Sequence, residues 1–396
     1  MMKTTSRRDF FRKALIGIAA IFTFGYSLWH MLLRSGKSYF TGSFFAPSLS
    51  SFSGNSSSNI PNREAMYYTS LGRGRVRCDL CYRECTISNG RRGFCKNREN
   101  DQGKLYNVVY GKPSAVNIDP IEKEPQHHML PGSNILCIGT AGCNFRCLHC
   151  HNWHLSQRSI EEIGRYHQYT PQDIIQNSLK LEVPTISFTY NEPTVFYEYV
   201  LDIAKLAKKV DLRILWHSNG YIKPEPLKEL LDYTDAVTID LKGFSRTAYE
   251  NSSAELEPVL KTLKAIKEKG VWLEIVNLVI PTINDSTHEI KTMCEWIRDE
   301  LSPEVPLHFS RFFPNYKLTN LSPTPIDTLE RAYSTAQQTG LQYVTLGNVP
   351  GHDYNSTFCP QCGEILIRRV HFNVREINIS NGKCDSCGHM VPGIWK

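Results

Sequence analysis

Once its first 37 residues are set aside, the chain has no net charge. It carries 45 Lys and Arg against 39 Asp and Glu, and residues 1–37 hold seven of the former and one of the latter, which leaves 38 of each. A body so balanced makes no average case for a nucleic-acid partner. An even, widely spaced set of cysteines is missing as well. There are thirteen, and eleven of them fall into three tight groups. Short C-x2-C pairs repeated in this way suit metal ligation better than a secreted disulfide framework. Cys137 and Cys294 stand alone and read as buried free thiols. The central group lacks a fourth cysteine close behind it. Hydrophobic content of 41% in 396 residues is nonetheless that of a globular protein with room for two to three domains.

The central group is Gly142-Cys143-Asn144-Phe145-Arg146-Cys147-Leu148-His149-Cys150, a C-x3-C-x2-C spacing. A closed cubane takes four thiolates, so three leave one iron open to a ligand that is not protein. A zinc knuckle borrowing a distant ligand is the competing use of the same residues.

The N-terminus has a different character. Ser6-Arg7-Arg8-Asp9-Phe10-Phe11-Arg12-Lys13 resembles a twin-arginine export signal. The uncharged stretch Ala14 to Leu33 that follows would be about 30 Å long as a helix, enough to span a bilayer. Five positive charges precede it and two follow, which places the N-terminus in the cytoplasm. No small-x-small cleavage site stands near Arg34. Residues 1–37 are therefore expected to be a signal or membrane anchor, giving a membrane-anchored or exported protein. Residues 38–63, with nine serines and one charge, are expected to form a flexible tether of roughly 28 Å mean span. The folded body is expected from Glu64.

From about residue 134 short apolar strands alternate with helix-period runs. The strands are expected at Asn134–Gly139, Thr185–Tyr190, Arg213–His217, Ala236–Leu241, Trp272–Ile280, Pro306–Phe312 and Tyr343–Leu346. Helical runs are expected at Val195–Val210, Leu256–Lys269, Thr287–Leu301 and Ile326–Thr339. Thr170-Pro171 reads as an N-cap with Pro at the first helical position. Alternating βα units imply a parallel sheet, either open and doubly wound or a barrel. Polar turns follow three successive strands: Tyr190-Asn191-Glu192-Pro193, Ser218-Asn219-Gly220 and Asp240-Leu241-Lys242. βα enzymes place their chemistry at that end of the strands, although Asn, Gly, Asp and Pro also serve ordinary turns.

Cysteine groups flank this body. Cys359-x2-Cys362-Gly363 and Cys384-x2-Cys387-Gly388, separated by 21 residues rich in β-formers, read as a zinc ribbon, with iron in a rubredoxin-like site as the alternative. Ser380-Asn381-Gly382 is the turn signal within it. Cys78-x2-Cys81-x3-Cys85-x9-Cys95 supplies four thiolates for either an auxiliary iron–sulfur cluster or a structural zinc ion, and ligand softness does not choose between them.

The triplet and its setting resemble the radical S-adenosylmethionine (SAM) superfamily. More specifically, residues 73–396 resemble the radical SAM member of the AmmeMemoRadiSam system, a relative of pyruvate formate-lyase activating enzymes. The resemblance rests on Arg77-Cys78-Asp79-Leu80-Cys81, Arg91-Arg92-Gly93-Phe94-Cys95, Leu130-Pro131-Gly132-Ser133, the triplet, Asn152-Trp153 and Asn277-Leu278-Val279-Ile280-Pro281. It continues through Asn284-Asp285, Ser310-Arg311-Phe312-Phe313-Pro314, Gly347-Asn348-Val349-Pro350-Gly351-His352 and the terminal knuckles. It implies a partial (β/α)6 radical SAM barrel over 131–350, an N-terminal cysteine-rich metal-binding region over 64–130 and a zinc-ribbon-like extension over 351–396. It implies a [4Fe-4S] cluster on Cys143, Cys147 and Cys150 with SAM on the open iron. Glu192 beside Asn191 would accept from the SAM amine, Ser218, Asn219 and Asp240 would border its ribose and carboxylate, and His149 would stack near the adenine. His149 and His151 depart from the aromatic residue and Gln of the family pattern. The implied partners are a low-potential electron donor and a protein substrate modified as in glycyl-radical activases, or Memo-like and AMMECR-like proteins. Arg311, His308 and His352 are candidates for a substrate wall, with satisfied structural histidines as the plainer use of the latter two. The alternative from another class is a membrane-tethered iron–sulfur electron carrier on a degenerate barrel; a zinc-ribbon binding module would leave the triplet unused.

Overall fold

The structure, a computed structural model, describes Phe52 and residues 60–396. The signal or anchor expected over 1–37, and most of the serine-rich stretch, lie outside the described residues. Among the described residues no helix is long and apolar enough to cross a membrane. The folded body starts earlier than Glu64. Ile60 is buried over Gly111 and its amide donates to Gln168 Oε1 at 3.2 Å. The strand Arg63–Glu64 already pairs with Lys104–Asn107. A serine-rich composition hid these anchor residues.

Eight strands form one sheet. They are β1 (Ala115–Pro120), β2 (Asn134–Gly139), β3 (Thr185–Phe188), β4 (Arg213–Ser218), β5 (Ala236–Asp240), β6 (Trp272–Val279), β7 (Leu307–Arg311) and β8 (Val344–Gly347). Their spatial order is simply their chain order, and β2 to β8 run parallel. Only β1 is antiparallel, paired with β2 at one edge. Six crossovers join the parallel strands through α1 (Pro171–Lys180), α2 (Tyr197–Ala207), α3 (Pro224–Leu231), α4 (Leu256–Lys269), α5 (Thr287–Glu300) and α6 (Ile326–Gln338). The strand order never reverses, so the sheet lacks the switch point of a doubly wound fold. Capping follows the sequence: Thr170 and Asp173 form a reciprocal capping box at α1, with Pro171 at its first position.

The other face is polar at its lower end. After β1 the segment containing Gln126, His127 and His128 runs beneath the strands. The His127 and His128 amides donate to the buried Glu274 carboxylate on β6 at 2.8 and 2.7 Å. His308 on β7 meets the same carboxylate through Nε2 at 2.6 Å and Thr345 through Nδ1 at 2.7 Å. Thr238 Oγ1 donates to Gln126 Oε1. Burial alone would raise Glu274, but the His308 hydrogen bond and the surrounding imidazoles pull it down to about 2. His308 is thus satisfied and structural. His352 is too: it caps a short turn and meets Glu330 at 3.0 Å. Arg311 Nε donates to the Thr324 carbonyl.

Burial holds His128 neutral, down to about 4 from 6.5. A lowered histidine contributes stability that is present in full above pH 6.5 and lost as the pH falls from there through 4, because the unfolded chain takes the proton first. The shift corresponds to ~3 kcal/mol at the acid limit. The urea midpoint is expected to drop between pH 7 and pH 5, and to drop less steeply in His128→Gln. Parallel slopes in the two proteins would remove His128 as the cause.

The C-terminal extension packs below this network. Its three-stranded sheet joins Thr357–Phe358, Ile365–Val370 and Asn373–Ile377. Ile379–Ser380 and Lys383–Cys384 form a hairpin. The left-handed Asn381 (φ 53°) and Gly382 (φ 72°) supply the hairpin's two-residue turn.

Candidate functional site

All thirteen cysteines are unpaired, and their three groups take up three different arrangements. The triplet lies on the loop that leaves the C-terminal end of β2, where the parallel strands present their turns. Cys143 and Cys147 are buried, and Cys150 is partly exposed. Burial pushes the Cys150 thiol up to about 11; it also raises Cys143, helped by Glu192. Binding a metal here would release protons.

The loop is clamped from the neighbouring strand ends. Asn191, after β3, donates through Nδ2 to the carbonyls of Ala141 (3.1 Å) and Gly142 (2.9 Å), and its Oδ1 accepts from the Thr140 amide. Asn219, after β4, donates through Nδ2 to Asn144 Oδ1 at 2.8 Å and approaches Cys143 Sγ at 3.8 Å. The Phe145 amide donates to the same sulfur at 3.3 Å. Gly142 has φ of 79°, and a Cβ there would collide with the Cys95 carbonyl. Only glycine lets these two cysteine loops touch.

Glu192 is a buried hub. Its Oε1 accepts from the Thr194 amide (3.0 Å), Thr194 Oγ1 (2.7 Å) and Ser218 Oγ (2.8 Å), and Oε2 accepts from the Asn219 amide (2.9 Å). Burial raises its carboxyl despite these donors. Most of its acceptor capacity is therefore spent tying the β3 and β4 turns together. Ser218 completes the tie by accepting from the Gly220 amide.

Asp240, ending β5, lies between two cations that sequence reasoning did not assign. Lys242 Nζ is 2.7 Å from Oδ2, and His217 Nε2 is 3.3 Å from Oδ1 without hydrogen-bond alignment. Burial opposes ionisation of Asp240, but Lys242 and His217 outweigh it and hold the carboxyl well below its usual range. Burial likewise works against a charged His217, yet Asp240 and Glu124 raise it to about 10. Lys242 was visible in the quoted turn; the Glu124 contact at 3.5 Å bridges 93 positions and leaves no local signal.

His149 is 8% exposed, and neither ring nitrogen has a hydrogen-bond partner. Burial first, and Lys242 second, push it down to about 3. A neutral, buried imidazole with two orphaned nitrogens fits a site that takes up a polar ligand. Beside three thiols on one loop, it suits a cluster with one open iron and a ligand upon it.

The C-terminal four behave differently. Cys359 Sγ is 3.7 Å from Cys387 Sγ, and Cys362 Sγ is 3.8 Å from Cys384 Sγ. Thiolates bound tetrahedrally at about 2.3 Å from one ion lie about 3.8 Å apart. This group can hold a single metal ion. The front four, Cys78, Cys81, Cys85 and Cys95, line one cavity at the other end of the chain.

Fold and site together define an α/β protein with a thiol-rich metal loop at the C-terminal ends of its parallel strands. Residues 137–297 match the model of the radical SAM superfamily. Uncharacterized protein MJ0808 of Methanocaldococcus jannaschii is 46% identical over 331 residues, 83% of this chain and 98% of that protein. The pyruvate formate-lyase-activating enzyme of Clostridium pasteurianum is 24% identical over 200 residues, 46% of this chain and 80% of that enzyme. Among solved structures, Streptococcus suis SuiB bound to S-adenosylmethionine is similar at a TM-score of 0.44 and 15% identity, over 58% of this chain and 53% of that one. The chain belongs to the radical SAM superfamily and is an enzyme of that class. The class works with a [4Fe-4S] cluster and SAM.

Proposed function

We propose that the chain cleaves SAM reductively at a cluster held by Cys143, Cys147 and Cys150, and removes a hydrogen atom from a protein substrate in the manner of a glycyl-radical activase. The observation that carries this reading is the single loop bearing three thiols, clamped by Asn191 and Asn219 beside the orphaned nitrogens of His149. When bound, the cluster supplies the electron that breaks the sulfonium bond. The side chains have other tasks. Asn191 and Asn219 fix the loop; Lys242 offsets negative charge at Cys147 and Cys150; His149 and Asp240 offer the polar wall against which SAM is oriented. Glu192 acts mainly by holding the Ser218-Asn219 turn in place, and its remaining acceptor capacity would serve the SAM amine. Burial of the loop keeps water from the reacting atoms.

A protein substrate and a low-potential electron donor are supported by the names of relatives, which include a putative glycyl-radical enzyme activating enzyme of Haemophilus influenzae. Membership in the AmmeMemoRadiSam system, with Memo-like and AMMECR-like associates, rests on the motifs of the sequence. So do the twin-arginine-like export or anchoring of the chain, the partial (β/α)6 barrel with its domain limits, and zinc as the ion of the C-terminal knuckles. The unreversed strand order supports the barrel, and the sulfur spacing supports zinc. Electron paramagnetic resonance of a glycyl-radical candidate protein, incubated with the reduced enzyme and SAM, tests the activase reading. A glycyl signal is expected. SAM turnover with no such signal in any candidate would sink that reading and leave other hydrogen-abstraction substrates.

A further inference from the structure

The front cysteines stand on a strand end, a turn and a loop that the fold draws around one space. Cys78 ends the strand Arg75–Cys78, and its amide donates to the Cys85 carbonyl at 3.0 Å. The Glu84 amide donates to the Cys81 carbonyl, and the Phe94 amide to Cys85 Sγ at 3.4 Å. All four cysteines line the same cavity, together with Arg98 and Asn144.

Two geometric features distinguish this site from the C-terminal knuckles. Among the described residues, only the C-terminal four bring three or more ligand atoms within 4.8 Å of one another. The front four have the same ligand chemistry but do not form such a compact group, and they line a cavity instead. A single zinc ion draws its thiolates together and leaves no such space. A cubane takes one thiolate at each of four separate irons and fills the middle with its own iron and sulfide.

The second feature is Arg98, 1% exposed in the cavity wall. Its Nη2 donates to both oxygens of Glu198 at 2.8 and 2.9 Å, and Nη1 donates to the Met66 carbonyl at 3.2 Å. Glu198 is itself fixed by the Met66 amide and Asn107. Nε is the one guanidinium nitrogen of Arg98 without an acceptor. A buried donor nitrogen left without an acceptor calls for a partner, and the cavity that Arg98 lines is where that partner would lie.

We propose that Cys78, Cys81, Cys85 and Cys95 ligate a second [4Fe-4S] cluster, closed by four thiolates, with Arg98 Nε–H donating a hydrogen bond to one of its sulfurs. The assignment is independent of the chemistry at the triplet. It places two clusters against opposite sides of one wall. Asn144, adjacent to Cys143, lines the front cavity while its side chain is held by Asn219. The Asn97 side chain donates to the Ala141 carbonyl, Arg83 Nε donates to the Asn144 carbonyl at 2.8 Å, and Arg146 reaches the Phe94 carbonyl. The guanidinium carbons of Arg83 and Arg146 lie 4.2 and 4.0 Å from the Phe94 ring centre. The two cysteine loops are thus locked together, and the front site has no open iron for SAM.

The test uses the full chain with Cys143, Cys147 and Cys150 all changed to Ala, loaded anaerobically with iron, sulfide and zinc. About four iron and four sulfide per chain are expected, with a reducible signal in electron paramagnetic resonance that SAM does not alter. Adding Cys81→Ser is expected to abolish that signal. Zinc at two equivalents with no iron would overturn the proposal, as would a signal that shifts on adding SAM. Should the triple variant fail to fold, iron counting and Mössbauer spectroscopy of the unaltered chain decide: about eight iron in two cluster environments support it, and about four in one overturn it. Arg98→Lys keeps a charge beside Glu198 but removes the Nε–H, so the midpoint potential of the second cluster is expected to fall; an unchanged potential would overturn the part given to Arg98.

Discussion

Replacing Cys147 by alanine in the full chain is expected to abolish the formation of 5′-deoxyadenosine from SAM under anaerobic reducing conditions, while metal binding at the C-terminal cysteines is expected to persist. Cys147 is the middle member of a run with no spare thiol, so its loss leaves only two ligands for a cluster that needs three from the protein. Removing one buried sulfur costs the fold ~1–2 kcal/mol, which a domain of this size tolerates. Loss of turnover can then be separated from loss of structure by far-ultraviolet circular dichroism and by the metal count of the knuckles. Turnover that persists in Cys147→Ala would overturn the triplet as the SAM site. A reducible cluster in the unaltered chain that never yields 5′-deoxyadenosine would instead favour an iron–sulfur electron carrier.

The reasons why some of this site is legible in the sequence and some is not are physical. Three thiols within eight positions are constrained by the chain itself, so their spacing speaks directly. The turns at Asn191-Glu192, Ser218-Asn219 and Asp240 are legible because a parallel strand must end where its apolar run ends, and polar residues there share one end of the sheet. What those residues do to one another is not legible. Asn191 meets Gly142 across 49 positions and Asn219 meets Asn144 across 75. Neither pairing has a period or a motif. Glu192 illustrates the difference: the sequence marks it as an acid at a strand end, but only the fold reveals four protein donors already around it. Arg98 and Glu198, 100 positions apart, gave no signal at all.

The fold was legible to a similar depth. Each of the seven parallel strands lies where an apolar run stands between turn signals, because a strand covered on both faces has little room for polar residues. The missed strand, Ala115–Pro120, is an edge with half-exposed Asn117, Asp119 and Pro120, so its composition is that of a loop. Gln126-His127-His128 reads as polar and exposed, yet it is buried against Glu274 and Thr238. Hydropathy cannot anticipate a polar plug whose partners come from strands more than a hundred residues away. Strand order was open as well; periodicity finds the βα units but does not say whether the winding reverses.

Stripping the metal from Cys359, Cys362, Cys384 and Cys387 is expected to unfold the C-terminal extension while β2 to β8 persist. The extension has too little core to stand alone. Its buried residues Cys359, Leu366, Ile367, Cys384 and Val391 cluster with Tyr343 from the large sheet's side, and two of those six are metal-ligand candidates themselves. In small domains of this kind the bound ion supplies ~10–16 kcal/mol of apparent folding free energy, whereas the four non-cysteine members of the cluster supply roughly 6–12 kcal/mol, less than ordering about forty residues costs at ~1–2 kcal/mol each. Cys362 and Cys387 are exposed, so a chelator can reach the site. The effect is expected to spread to the polar plug, because Arg369 donates to the His127 carbonyl at 2.8 Å and the Ile394 amide to the His128 carbonyl at 2.7 Å. Hydrogen exchange measures both reaches. Amides of Ile365–Val370 should lose protection entirely, those of Gln126 to Leu130 in part, and those of β3 and β4 hardly at all. Full protection of Ile365–Val370 in the metal-free chain would mean that packing alone holds the knuckles, and the paired sulfurs at 3.7 and 3.8 Å would need another cause.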